Sequence, residues 1–158
     1  DLAARKNISP TRNNLLQLAQ KTMRAEGTDA IARRLIENIE THVWQAVGVS
    51  GLRTPNDIAA FRSHFGSAFK LAYVWVGNAE RRFQRLKARS AARDPKNLEA
   101  FIEQERSEEA QFQISAAIKQ ANVKIDNSGT LRELHQFIRR SPLWAWLGCG
   151  HISHPPVD

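Results

Sequence analysis

The sequence predicts an α/β domain in which helices flank a parallel sheet. Three short apolar runs, at residues 43–50, 71–76 and 123–125, are rich in the β-branched and aromatic residues of buried strands. Segments with helical spacing separate the runs, and parallel strands need such crossover connections. Three strands are few for a sheet of this kind, and the chain begins with Asp1 rather than Met. We therefore expect an N-terminally truncated domain.

Helices are predicted before and after the first of these runs. Apolar side chains recur every three or four positions at residues 11–26 and 28–41, and Gly27 between them is a typical helix-ending residue. The pair Thr54-Pro55 predicts the start of a third helix, since threonine caps free N–H groups and proline is favoured at the first helical position.

The strand at 71–76 leads into an arginine-rich helix. Gly77 and Asn78 break the apolar run, and Asn78 is a candidate N-cap. A strand, a tight turn and a basic helix can gather anionic oxygens at the carboxyl edge of a parallel sheet. The alternative is a solvated face over Phe83 and Leu86. The basic residues of this helix and of the loop after it are Arg81, Arg82, Arg85, Lys87, Arg89 and Arg93.

The second half is predicted to be mostly helical. Residues 96–122 carry an acidic run, Glu99–Glu109, which we interpret as a solvated helix face. Thr130 caps a last helix that ends near Arg140. We expect one domain over residues 1–140 and a flexible tail, rich in tryptophan, histidine and proline, over residues 141–158.

The composition favours an anionic partner and a reducing compartment. The net charge is +7 and the isoelectric point is about 10.2, which suits nucleotide phosphate or nucleic acid, or else a solvated basic surface. The single cysteine, Cys149, excludes an internal disulfide, so we expect a cytoplasmic protein. No apolar run approaches the roughly 20 residues of a membrane span.

The tail contains two candidate sites. Cys149, His151 and His154 have side chains that bind zinc, but no fourth ligand stands near them, so no metal site is predicted. The apolar segment Trp144–Leu147 is predicted to dock on the domain or on a protein partner.

Four segments resemble P-loop nucleotide kinases, and dephospho-CoA kinase most of all. They are Ser9–Leu15, Val47–Arg53, Glu80–Arg89 and the run Ile125–Leu134, which reads Ile-Asp-Asn-Ser-Gly-Thr-Leu-Arg-Glu-Leu. The resemblance covers residues 1–140. It implies a P-loop fold that transfers a phosphoryl group from ATP, with Mg, to a small acceptor of dephospho-CoA or nucleotide type.

The resemblance also implies roles for individual residues, and it assigns no metal ligand. Guanidinium groups suit this chemistry because they bind phosphate oxygens in a bidentate manner. From the spacing alone, Arg53 has an alternative role, which is an ion pair with Asp57 four positions later. The expected catalytic residues are Arg85, Arg89 and Arg93, the substrate-binding residues are Arg12, Arg53 and Arg106, and the cofactor-binding residues are Asn127 and Gly129.

The sequence departs from the kinase pattern in two places. The phosphate-cradling motif Gly-x-x-x-x-Gly-Lys-Ser/Thr is absent from all 158 residues. Ser50 stands where the related sequences carry an acidic residue. We therefore expect a C-terminal kinase portion that is inactive on its own. The alternatives are a basic nucleic-acid-binding module and a non-catalytic subunit that docks through Trp144–Leu147.

Overall fold

A computed structural model of the chain describes residues 7–9, 12–89 and 94–147, with only the backbone at residues 12, 13 and 16. Helices dominate these ranges, and two short strands form a parallel sheet. The prediction of an α/β chain with helices around a parallel sheet is thus confirmed in its coarse form. The elements are α1 (Arg12–Glu26), α2 (Ala30–Glu40), α3 (Pro55–Phe65), a 3₁₀ turn (Gly66–Ala68), β1 (Ala72–Trp75), α4 (Ala79–Arg89), α5 (Leu98–Phe112), α6 (Ile114–Ile118), β2 (Val123–Asp126), α7 (Leu131–Arg140) and α8 (Pro142–Trp146).

Strands β1 and β2 pair in parallel, in a register that runs from Ala72 opposite Val123 to Trp75 opposite Asp126. The connection between them contains α4, α5 and α6, which is the long crossover that parallel pairing requires. Just beyond the strand, the N–H of Asn127 donates to the carbonyl of Trp75 at 2.8 Å. The predictions of strands at 71–76 and 123–125 are therefore confirmed.

The predicted strand at Val43–Ser50 is wrong. No strand is assigned there, and the side chains of Val43, Trp44 and Val47 are exposed by 104%, 56% and 43%. A strand needs a neighbour for its N–H and C=O groups, and the described part of the chain places none beside this segment. Apolar composition alone therefore did not produce a strand.

The main core lies between α2 and α3. Ala32, Ile36 and Phe61 are buried, and the rings of Phe65 and Phe69 lie 5.8 and 5.6 Å from that of Phe61. Helix α1 packs on α2, and α6 packs on α3. Because apolar residues recur on one face of each helix, their stripes meet and exclude water.

Two helices begin with the same reciprocal cap. At α3 the N–H of Asp57 donates to the hydroxyl of Thr54 at 3.0 Å, and the N–H of Thr54 donates to the carboxylate of Asp57 at 3.1 Å. At α7 the corresponding pair is Thr130 and Glu133. Each box satisfies N–H groups that the first turn of a helix leaves without partners. Both predicted caps are confirmed.

The predicted helical region 96–122 is divided at Gln113. This residue has φ 53° and ψ 44°, the left-handed conformation that commonly ends a helix. The next helix starts at once, and the carboxylate of Glu109 accepts the free N–H of Ser115 at 3.0 Å. The corner therefore turns α6 away from α5 without a loop.

The C-terminal part of the described chain is a short helix, α8, which packs against α7. The Nζ of Lys70 lies 5.6 Å from the ring centroid of Trp146, a cation–π contact that ties α8 to the segment before β1. Cys149, His151 and His154 lie outside the described residues. Among the helices that the structure describes, none has the length and apolar character that crossing a membrane requires.

Candidate functional site

A groove of about 480 Å³ lies between the first two helices, the loop before α3 and the ends of α4 and α5. We call it the Arg53 groove. One wall is apolar and consists of side chains of α1 and α2. The other carries charged groups and an aromatic ring. The lining includes Leu15, Met23, Ile31 and Leu35 on the apolar wall, and Arg53, Asp57, Arg89, Glu108 and Phe112 on the other.

Arg53 lies in the loop before α3, and residues of α5 hold its side chain. Its Nη1 lies 3.3 Å from Oε2 of Glu108, and its guanidinium carbon lies 6.0 Å from the ring centroid of Phe112. The alternative pair with Asp57 does not form, because that carboxylate caps α3 by accepting the N–H of Thr54. The side chain of Arg53 is half exposed, so its remaining donors are accessible from the groove.

Arg89 reaches the same groove from the last residue of α4. Its Nη2 lies 3.0 and 3.2 Å from the two carboxylate oxygens of Asp94, whose side chain is only 6% exposed. The structure therefore brings together Arg53 and Arg89, two residues that the kinase resemblance had placed in different roles.

Arg85 occupies a second place, against the turn after β2. Its Nη1 donates to the carbonyl of Asn127 at 2.6 Å, and its Nη2 donates to that of Gly129 at 3.0 Å. Arg81 donates to the carbonyl of Ser128 between them. The structure thus places the expected catalytic Arg85 beside the two expected cofactor-binding residues, through their backbone oxygens.

The remaining predicted residues lie apart from both places. Arg106 is 76% exposed and pairs with Glu103 at 3.7 Å, on a face of α5 that borders a separate open depression. Arg12 lies in the first turn of α1, but its side chain is outside the described part, and so is all of Arg93.

Sequence reasoning missed the ion pair between Arg82 and Glu105. Nε and Nη2 of the arginine lie 2.8 and 2.6 Å from the two carboxylate oxygens, and Nη1 donates to the carbonyl of Val76 at 2.6 Å. The hydrogen bond to Glu105 raises the pKa of Arg82. The pair joins α4, α5 and the end of β1, and a separation of 23 positions gives no local signal for it.

Glu108 and Phe112 were also missed as groove residues. Both belong to the helix whose acidic run we had interpreted as a solvated face. Glu108 contacts Arg53 across 55 positions of sequence and also accepts a hydrogen bond from Gln104 at 3.0 Å. A helical pattern shows which residues share a face but not which distant residue that face meets.

The residues present do not fit Mg-ATP. Of the carboxylates that border the groove, Asp57 accepts the N–H of Thr54 and Glu108 accepts hydrogen bonds from Arg53 and Gln104. Within the described ranges, no three His, Cys, Asp or Glu side chains lie close enough to hold a metal ion. The sequence also offers no glycine-rich loop to surround a triphosphate.

Comparison with known proteins gives relatives with one recurrent name. The chain is 31% identical over 140 residues to the UPF0200/UPF0201 protein of Archaeoglobus fulgidus, a match that covers 87% of this chain and 43% of that protein. It is 30% identical to the UPF0200 protein of Methanosarcina acetivorans, a match that covers 80% of this chain and 67% of the relative. It is also 30% identical to the UPF0200 protein of Methanothrix thermoacetophila, a match that covers 87% of this chain and 74% of the relative. The chain thus spans less than half of the Archaeoglobus protein. No family model and no solved structure matches.

These findings correct the expected membership of the dephospho-CoA kinase family, which is wrong. The run Ile125–Leu134, which was the most specific part of that resemblance, forms a strand, a turn and a capped helix. Local geometry demands its residue types, because Asn, Ser and Gly suit the turn and Thr-x-x-Glu makes the capping box. Such a run therefore says little about ancestry. By its identity to the Methanosarcina and Methanothrix proteins over most of their length, the chain belongs to the UPF0200 family.

Proposed function

We propose that this chain binds a small phosphate-bearing molecule, of nucleotide or CoA type, in the Arg53 groove. We propose further that it is the acceptor-binding portion of a phosphotransferase. The observation that carries this proposal is the convergence of Arg53 and Arg89 on one groove whose opposite wall is apolar. One groove thus offers cations for phosphate oxygens and a surface for a ring or an acyl-like chain.

The present partners of the two arginines are compatible with ligand exchange. Among the residues that the structure describes, each guanidinium meets one carboxylate, which is Glu108 for Arg53 and Asp94 for Arg89. A phosphate monoester carries about −1.5 to −2 charges at neutral pH and presents three acceptor oxygens, so it competes well for a guanidinium. Glu108 keeps a hydrogen bond from Gln104 when Arg53 turns to the ligand.

The apolar side of the groove offers a surface for the ring or acyl-like chain of the ligand. Leu15, Met23 and Leu35 line it, and Phe112 lies beneath the Arg53 guanidinium on the other side. Small-molecule sites commonly combine such apolar lining with a few placed polar groups. Inorganic phosphate alone should therefore bind more weakly than a phosphate that bears a ring.

We infer that β1 and β2 are part of a larger nucleotide-binding parallel sheet, with Arg89 on the helix that follows β1. The groove supplies only the acceptor side of such a transfer. Binding, and not turnover, is therefore the property that tests this proposal.

Binding of AMP, dephospho-CoA and inorganic phosphate is measured by titration calorimetry with the wild-type chain and three variants. Arg53→Gln and Arg89→Gln should each weaken the binding of AMP or dephospho-CoA about 10- to 100-fold. The reason is that hydrogen bonds to charged groups contribute about 1.5–3 kcal/mol. Arg106→Gln is the matched control, since this exposed arginine lies outside the groove. The affinity of this variant for AMP and dephospho-CoA should equal that of the wild type.

Two outcomes would overturn the proposal. One is equal affinity in the wild type and in Arg53→Gln, with both folded by circular dichroism. The other is no binding of any probe at millimolar concentration while a single-stranded oligonucleotide binds with a steep salt dependence. The second result would identify a basic nucleic-acid-binding module instead.

A further inference from the structure

The two strands of the sheet are covered to very different extents. Val74 and Ile125 stand opposite each other in the parallel register, so their side chains share one face of the sheet. Ile125 is 1% exposed, whereas Val74 is 52% exposed. The layer that covers this face therefore ends between the two strands and leaves β1 open.

The backbone of β1 has donors and acceptors on its outer side. The carbonyls of Leu71 and Trp75 accept N–H groups at the two ends of β2, so they face β2. Because carbonyl direction alternates along a strand, the N–H and C=O groups of Ala72 and Val74 face the other way. Within the described residues no strand pairs with that side.

The side chains distinguish the two outer edges. Strand β2 carries the exposed charges Lys124 and Asp126, the type of residue that keeps an edge from pairing. Strand β1 reads Ala-Tyr-Val-Trp and has no charge or proline, and Val74 and Trp75 are exposed on opposite faces. The β1 edge is therefore unprotected. The exposure of Val74 and Trp75 also departs from the usual parallel sheet, which is covered on both faces.

We propose that the β1 edge binds an extended, mainly apolar strand from the part of the family's longer chains that this chain does not match. About a third of the Methanosarcina acetivorans relative lies outside the matched stretch, since the match covers 67% of it. That is ample for one strand of about five residues. The added strand pairs with the outward groups of Ala72 and Val74 and covers the side chains of Val74 and Trp75, the mode known as β-augmentation.

Hydrogen exchange at the Val74 amide tests this proposal directly. The 158-residue chain is measured alone and with the unmatched part of the Methanosarcina acetivorans relative, supplied as a separate polypeptide and as overlapping peptides. Alone, the Val74 amide should exchange quickly. The added segment should slow its exchange at least about tenfold, because a paired amide must open before it exchanges.

Matched variants show whether the edge is responsible. Val74→Lys should abolish the added protection, because a charged residue blocks an edge, and exposure of Val74 lets the variant fold. Leu131→Lys is the control, since Leu131 is 67% exposed on α7, and it should keep the protection.

The proposal is overturned if no peptide slows exchange at Val74, or if Leu131→Lys removes the effect as fully as Val74→Lys. It is also overturned if the amide is already protected in the chain alone. In that case, a protection that rises with chain concentration identifies a second copy as the occupant. A protection that does not rise identifies a segment of this chain, such as Val43–Ser50.

Discussion

The guanidinium of Arg82 meets the carboxylate of Glu105 through two hydrogen bonds, from Nε at 2.8 Å and from Nη2 at 2.6 Å. Its third nitrogen donates to the carbonyl of Val76, so one side chain connects two helices and the end of a strand. A bidentate fork of this kind requires the planar group of arginine.

Arg82→Lys should lower the free energy of unfolding by about 1–2 kcal/mol, since the site is only partly exposed and lysine cannot make the fork. Urea unfolding followed by circular dichroism measures the change. Arg106→Lys, at a pair that is about three-quarters exposed, is the control and should change stability by less than about 0.5 kcal/mol. Equal effects of the two substitutions would show that the bidentate geometry does not matter.

Glu133 should make stability depend on pH in the acidic range. Hydrogen bonds from the N–H and hydroxyl of Thr130 lower its pKa below the ordinary value of 4.5. A carboxyl whose folded pKa is lowered stabilises the fold above its unfolded pKa, and this contribution is lost as pH falls through the folded pKa. Hydrogen bonds from Ser128 likewise lower the pKa of Asp126 below its ordinary value of 3.8. The stability that Asp126 contributes is therefore also lost as the pH falls through its folded pKa.

The measurement is urea unfolding of the wild type and Glu133→Gln at pH 7 and pH 3. The wild type should lose more stability between these pH values than the variant, because glutamine carries no titrating proton. Glu103→Gln, at an exposed position on α5, controls for a general change in charge. The same pH dependence in the wild type and Glu133→Gln would refute the role of this carboxylate.

Ile125 and Val74 form a matched pair for the cost of burial. Ile125→Ala should destabilise the fold by about 2–5 kcal/mol, because it removes buried methyl groups and leaves a cavity. Val74→Ala lies at the same register but is half exposed, so we expect a loss of less than about 1 kcal/mol. Thermal and urea unfolding of both variants measure the difference, and similar losses would mean that β1 is as well covered as β2.

Gln113 offers a stabilising substitution. Its φ angle is 53°. A residue with a side chain loses about 1–2 kcal/mol of conformational free energy in this left-handed region, whereas glycine adopts it readily. Gln113→Gly should raise the free energy of unfolding, by less than about 1 kcal/mol because glycine also makes the unfolded chain more flexible. Gln113→Val should lower it. A loss of stability with glycine would contradict the left-handed corner.

Local rules predicted much of the fold. The capping boxes at Thr54 and Thr130 and the strands that contain Val74 and Ile125 follow from residues that interact within a few positions of each other. The prediction of a strand at Val43–Ser50 was wrong because a strand depends on a pairing partner that lies elsewhere in the chain. The described residues provide no such partner.

The candidate site was predicted only in part, for the same reason. The kinase resemblance had given site roles to Arg53 and Arg89, but their convergence depends on how α4 and α5 pack, which no local pattern contains. Arg106 has the same chemistry as Arg53, yet its helix turns it to another face. Glu108 was interpreted as solvated because its contact to Arg53 spans 55 positions.

Arg81 and Arg85 attach α4 to the turn after β2. Their guanidinium groups donate to three successive backbone carbonyls, those of Asn127, Ser128 and Gly129. The acceptors are backbone oxygens, so no side chain of the turn takes part in this attachment. The position of α4 against the entry to α7 therefore depends on two arginine side chains that both belong to α4.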